Sequence, residues 1–389
     1  MTEKIEGKFK EARKLFVVTQ KKYGITYLNS ASTGPLCRPV RLAMEKYYDS
    51  TQFLDKSSDH AAFAGLEKIR KYGARLVGAR EDEVGFGFHT GYGLNVAAFG
   101  LPLKSGDEVL LSDIEFPANV YPWLALRERG IKVTFVKSTN HFFDIDEFKK
   151  AIGKKTRVLS LSFVQFFNGY KNDLREIGHI CKDRGLYFVV DAIQGCGVEP
   201  IEVHEWEVDI LSSGAQKWML SPLGTGVFFV RKELQKKLVM PFASWLSVDW
   251  KLEFTDLFHY DLPLFNSARR FEMGTYPYGH VFAMEEALKL INSLGVRNIQ
   301  RHNHRLLDLL IDYLKSSGYY RIVSNLEERH RSAILSFTCR KAAELHKALQ
   351  RAKIICSHRE GAIRISVHLY NNQSDIGRLI EVLGYFKKT

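Results

Sequence analysis

Cysteine is scarce: 389 residues hold five, at 37, 181, 196, 339 and 356. The number is odd, the spacing wide and no CxxC pair occurs, which argues against a disulfide framework and against a four-cysteine zinc site. No window approaches the uninterrupted apolar length that crosses a bilayer. The N-terminus, MTEKIEGKFKEARKLF, lacks the apolar stretch of a secretory signal. It reads as an amphipathic surface helix of a cytoplasmic protein. Internal repeats and low-complexity linkers are missing too. Net charge is +12, from 56 basic and 44 acidic residues, yet no basic run of five or six occurs. The charge alone is therefore a weak argument for nucleic-acid binding and is compatible with small anionic substrates.

What is present is an alternation of strand and helix patterns from about residue 80 to 235. DEVLLSDIE, IKVTFVKS, RVLSLSFVQ and LYFVVDAIQ read as strands. NVYPWLALRERG, DIDEFKKAIG and DLREIGHICKDRG read as helices, each stopped by glycine. Such alternation implies crossover units and an α/β fold with a mostly parallel sheet flanked by helices. Ligands in such sheets bind at the carboxyl ends of the strands, where Asp113, Gln165 and Asp191 fall. After about residue 285 the texture changes to a long amphipathic helix, SLGVRNIQRHNHRLLDLLIDYLKSSG, then short strands and a closing helix. The organisation expected is an N-terminal helix over 1–24 packing on the small domain, a large domain over 25–284, and a smaller α+β domain over 285–389.

Three constellations carry chemistry. GFGFHTGYGLNVAAFG is rich in glycine, but the third glycine of a dinucleotide fingerprint falls on Thr90, and no GK[ST] follows. What remains is a turn opening a helix, whose free amides suit a phosphate. Asp191, at the end of LYFVV, is a carboxylate that is costly to bury without a partner, with Gln194 three residues on. Lys217 lies between strand-like stretches, in GAQKWMLSPLGTG, with Gln216 beside it offering an amide to a phosphate oxygen. A lysine amine, a strand-end carboxylate and an anion site are what pyridoxal phosphate requires: a Schiff base, a partner for the pyridine nitrogen, and amides for the phosphate. Burial should depress the Lys217 pKa, and the freed amine then serves as base for a substrate Cα proton. Arg364, in GAIRISVHLYNN, reads as the clamp on a substrate carboxylate.

Other features read more plainly. His302 and His304 are two apart on a helix and point in different directions, as expected of a solvated face rather than a metal site. Phe163, Phe166 and Phe167 read as core and cofactor wall. Trp245, Trp250, Phe254 and Phe258 suit a substrate mouth or a subunit interface.

The stretches YLNSASTGP, FHTGYGLN, SGDEVLLSDIEFPANVYPW, SFVQFFNGYKNDLREIG, VDAIQGCGVEPIEV, GAQKWMLSPLGTG, RRFEMGTYP and IRISVHLYNN, in that order, resemble the class V aminotransferase family of fold-type I pyridoxal-phosphate enzymes. That family includes cysteine desulfurases and isopenicillin-N-epimerase-like proteins. The resemblance implies that Lys217 is the Schiff-base lysine and that Asp191 pairs with the ring nitrogen. It places Gln194 on the ring-hydroxyl side, and Thr90, Gly91 and Gln216 at the phosphate. Thr275 would reach a partner subunit's phosphate site, which implies a homodimer with shared sites, and Arg364 would hold the substrate carboxylate. Gln165 joins this cofactor set. Phe116 replaces the ring-stacking histidine of desulfurases, and only seven residues separate Cys356 from Arg364, too few for a desulfurase's cysteine loop. The function expected is a class V aminotransferase acting on a small α-amino acid. Cysteine desulfurase or another β-lyase is the alternative within the fold, and a basic nucleic-acid-binding protein the alternative outside it. No membrane, metal or nucleic-acid partner is expected.

Overall fold

The computed structural model describes residues 3–53, 58–251, 255–258 and 260–388. Its centre is a seven-stranded sheet. Across it the strands run in the order Val84–Gly87, Gly226–Val230, Ile210–Gly214, Tyr187–Asp191, Thr156–Ser162, Glu108–Ser112 and Lys132–Val136. The last five are mutually parallel, and Gly226–Val230 runs antiparallel to both its neighbours. Central strands are buried along their whole length, as apolar runs covered by helices on both faces must be. The helices start and stop where the chemistry directs. Asp144 Oδ1 accepts from the Asp146 and Glu147 amides at 3.0 and 3.1 Å, and Asp173 caps Leu174–Asp183 through the Glu176 amide. Gly130, in the left-handed region at φ 77°, ends the segment before the strand Lys132–Val136. That segment is not the continuous helix its pattern suggests: one α-turn at Tyr121–Leu124 lies between 3₁₀ turns at Pro117–Asn119 and Ala125–Arg129. Pro122 fits only a first helical turn, so the helix starts beside it.

Helix Tyr278–Leu294 packs on Arg38–Thr51 and Ser58–Val77 and leads into Val296–Ser317. Beyond it lies a four-stranded antiparallel sheet ordered Ser357–Arg359, Ala362–Ser366, Ile334–Thr338, Arg321–Ile322. Leu306, Leu310, Leu345, Ile363, Ile365 and Leu379 form the core between this sheet and its helices. The segment after the N-terminal helix lies against this sheet: Thr26–Tyr27 pairs in parallel with Ile354–Ile355 in a separate two-stranded ladder, and Asn29 bridges to Ser366. The N-terminal helix Glu3–Lys14 buries Phe9, which stacks on His302 at 4.3 Å. His302 also meets the Asn371 carbonyl, and His304 lies 3.9 Å from buried Glu199. The two imidazoles are thus half-buried rather than solvated, because helix Val296–Ser317 is covered on that side by the N-terminal helix and the large sheet's flank.

A short strap ties the two sheets. After Thr156–Ser162, four consecutive carbonyls are held from the C-terminal sheet: Phe166 by Arg364, Phe167 by Ser336 Oγ, Asn168 by Ser324 Oγ and Gly169 by Ser332 Oγ. Tyr170 stacks on His330 at 4.5 Å, and the Lys171 amide donates to the His330 carbonyl.

Candidate active site

The parallel strands end together, and their loops face the strap. Asp191 closes its strand fully buried, with Oδ1 accepting from the Ile193 amide at 2.9 Å. Burial pushes its carboxyl well above the usual range; the charge of Glu115 adds to that and the ammonium of Lys217 opposes it. Lys217 lies in the turn after Ile210–Gly214, its Nζ 5.8 Å from the centroid of the Phe116 ring. Burial depresses its pKa, with Arg364 and Arg359 adding to the effect and Asp191 opposing it. An amine and a carboxyl thus face each other in a poorly hydrated space, each pushed toward its neutral form.

The turn that carries Lys217 is held from three directions. The Gly34 amide donates to the Gln216 carbonyl at 2.8 Å. A Cβ at Gly34 would stand 2.1 Å from the Lys217 carbonyl oxygen. His368, fully buried, donates through Nε2 to the Trp218 carbonyl at 2.8 Å; its Nδ1 accepts from the Leu369 amide at 2.8 Å, which fixes the tautomer. The Trp218 indole donates to Gln194 Oε1 at 2.9 Å, and Gln194 Nε2 donates to the Ala31 carbonyl at 3.1 Å. Gln194 therefore sits between the Lys217 turn and the N-terminal segment, with one amide hydrogen uncommitted.

Thr90 and Gly91 open the helix Thr90–Gly100, so their amides have no carbonyl within it. Thr90 Oγ1 accepts from the Gly214 amide and its carbonyl from Ser212 Oγ. The Gln216 side chain lies at the same place: a Cβ on Gly214 would meet Gln216 Oε1 at 2.4 Å and the Thr90 nitrogen at 3.3 Å. Glycine leaves a cradle there before a helix N-terminus, a fit for a phosphate.

Two polar side chains are left short of partners. Arg364 is 2% exposed. Its guanidinium donates to the Phe166 carbonyl, to Ser32 Oγ at 2.8 Å and to Ser357 Oγ at 3.4 Å, and its Nε has no partner among the described residues. Among the described residues no carboxylate pairs with it, so a buried cation stands ready for an anion. Gln165 Nε2 donates to Glu115 at 3.1 Å, while its Oε1 is buried without a partner among the described residues. Phe116 is half-exposed and meets Phe166 edge-on at 5.3 Å.

The structure thus brings Lys217, Asp191, Phe116, Gln165, Gln194 and Arg364 around one crevice, with Thr90, Gly91 and Gln216 at a cradle beside it. Thr275 stands exposed in the turn after Phe271. Trp245 is half-exposed and packs on the buried Trp250, and Phe258 is exposed; Phe254 lies outside the described residues. Four residues escaped the sequence reading. Glu115 is buried and accepts from Asn119, from Gln165, and from the amide and hydroxyl of Ser162. Ser32 and Ser357 hold Arg364, and His368 holds the Lys217 turn. Glu115, Ser32 and His368 lie inside the quoted motifs, but a glutamate, a serine or a histidine there carries no signal without its neighbours in space.

Residues 26–379 match the family described as aminotransferase class-V. An uncharacterized aminotransferase of Bacillus subtilis, YcbU, is 28% identical over 92% of this chain and 93% of its own. A probable cysteine desulfurase of Methanothermobacter thermautotrophicus is also 28% identical, with the same coverage. Among solved structures, an apo cysteine desulfurase of Thermococcus onnurineus superposes with a TM-score of 0.85 at 22% identity, covering 97% of this chain and 98% of its own.

Proposed function

The chain belongs to the class-V aminotransferase family, and from that premise we propose that it is a pyridoxal-phosphate enzyme transferring the amino group of an α-amino acid. The observation that carries the reading is the pairing of Lys217 with Asp191 beside a glycine cradle at a helix N-terminus. Pyridoxal phosphate supplies an aldehyde that joins amines and a ring that accepts the electrons of a broken Cα–H bond. Asp191 would hold the ring nitrogen, Thr90, Gly91 and Gln216 the phosphate, Gln194 and Gln165 the ring's polar edge, and Phe116 its face.

Arg364 binds the substrate carboxylate, offering its unpaired Nε in place of the weak hydroxyl contacts it makes now. That contact fixes the substrate Cα relative to Lys217. Lys217 Nζ, held short of full protonation by burial, takes the Cα proton. The same Nζ would hold that proton rather than return it to Cα, which separates transamination from racemisation. Phe116 and Phe166 exclude water from that path without competing for the proton, since neither ring has a proton to give. Thr275 would serve a second subunit in a homodimer.

We read transamination ahead of cysteine desulfuration, the alternative suggested by several relatives, on the placement of Cys356. Cys356 lies in the core of the C-terminal sheet, and burial pushes its thiol up to about 12. A thiol held there has neither the charge nor the access to take sulfur from a substrate. A visible absorbance band in the purified protein, followed by borohydride reduction and peptide mapping, tests the site: the label belongs on Lys217. Keto-acid formation from an amino acid, without sulfide from cysteine, tests the reaction. A label on another lysine, or release of sulfide and alanine from cysteine, overturns the proposal.

A further inference from the structure

We propose that Arg359 is a second carboxylate-recognising residue at the mouth of the site, and that the substrates are α-amino acids bearing an anionic side chain. The inference rests on the function just proposed and names its substrate class.

The register places Arg359. Ser357 lies opposite Arg364 and Arg359 opposite Ala362 in the hairpin Ser357–Ser366. Side chains of directly opposed residues share a sheet face, as do residues two apart. Arg359 and Arg364 are therefore on one face, about 7 Å apart along the strands, the reach of two residues of extended chain. Arg364 is the buried member and Arg359 the exposed one, toward the hairpin tip. Among the described residues Arg359 has no ion-pair partner. Its charge nevertheless reaches the site, since it lowers the proton affinity of both Lys217 and Arg364.

Space for a side chain lies beside it. The turn Glu360–Gly361 is tight, with φ of 46° and 73°. It leaves a cavity of about 620 Å³ between the two sheets, walled by Phe166, Phe167, Arg321, Glu360, Gly361 and Ala362. Phe166 is the residue whose carbonyl Arg364 holds and whose ring meets Phe116. Neither Arg364 nor Arg359 lines the cavity itself; it borders Arg364 through Phe166, whose carbonyl that guanidinium holds, and Arg359 through Ala362, its opposite in the hairpin. Arg321 adds a second cation without an ion-pair partner among the described residues. Three carboxylates also line the space: Asp113 accepts from the Ser138 amide, Glu115 is buried and accepts from Asn119, Gln165 and Ser162, and Glu360 is exposed in the turn. An anionic side chain extending from a substrate held at Arg364 meets a guanidinium able to take it through two parallel bonds.

Two measurements on the cofactor-loaded protein test this. Calorimetric titration with glutarate and with butyrate compares one anion with two. Glutarate should bind roughly tenfold tighter or more, and Arg359→Gln should erase the difference, as expected for one lost charge pair. In turnover, the preference for L-glutamate over L-norvaline, taken as a ratio of kcat/KM values, should fall roughly tenfold or more in R359Q and recover in part in R359K. Arg359 is exposed, so the variants keep the fold, and the far-ultraviolet spectrum and cofactor absorbance verify that. Equal turnover of acidic and neutral amino acids in both proteins, or equal binding of the two probes, overturns the inference while leaving the transferase reading intact. No reaction with any amino acid overturns that reading itself, and the inference with it.

Discussion

His368 offers a test of how the Lys217 turn is held. Its ring is fully buried, and burial lowers its pKa from 6.5 to about 4, with the charge of His302 opposing protonation further. The folded protein thus binds this proton less readily than the unfolded chain. Stability is whole above about 6.5 and is lost progressively as pH falls toward about 4. One pKa unit is worth about 1.4 kcal/mol. Between about pH 7.5 and pH 5, His368 alone then removes about 2 kcal/mol of stability. His302 and His304 are also depressed and add slopes of their own, so the parent protein cannot isolate the effect. His368→Gln does, because its amide reaches the Trp218 carbonyl but does not titrate. It forfeits the acceptor for the Leu369 amide, about 1 kcal/mol at every pH. Urea unfolding of both proteins at the two pH values should show the variant losing about 2 kcal/mol less on acidification. His368→Phe, which leaves the Trp218 carbonyl unpaired as well, should be less stable than H368Q by about 1–3 kcal/mol. Identical pH dependence in parent and H368Q would refute the claim that this imidazole is kept neutral by burial.

Three other outcomes follow from the site. Arg364→Gln should raise KM for amino acids about a hundredfold, the loss of roughly 3 kcal/mol from a buried charge pair; it should also move the pH profile for acylation of Lys217 to higher pH, since one depressing charge is gone. An unchanged KM would remove Arg364 from the site. Gly34→Ala places a Cβ against the Lys217 carbonyl; it should cost about 1–3 kcal/mol in thermal stability and weaken cofactor retention, and normal cofactor binding would show that the turn yields. Cys356→Ala should leave turnover of amino acids intact, and loss of activity would restore a sulfur-carrying role.

The large sheet was legible because its strands are uniformly apolar and its helices begin with Asp144 and Asp173 and stop at glycines. Period and punctuation suffice there. Lys217, Asp191 and Arg364 were legible because each is a costly charge placed at the end of an apolar strand or within one. The helix expected across 119–130 was misread because local pattern gave no weight to Pro122. His302 and His304 were misjudged because their covering surfaces come from far along the chain, Phe9 of the N-terminal helix for His302 and Glu199 for His304. Glu115, Ser32 and His368 were invisible for a related reason. Their meaning lies in contacts between segments far apart in sequence, such as Ser32 with Arg364 and His368 with Trp218, and no local period encodes those.

The strap after the strand Thr156–Ser162 has a mechanical consequence. Its four carbonyls are gripped in succession by one sheet while its ends belong to the other. A swing of the C-terminal sheet must drag the Phe166 backbone with it, so the Phe166 ring and the Arg364 guanidinium move as a single jaw.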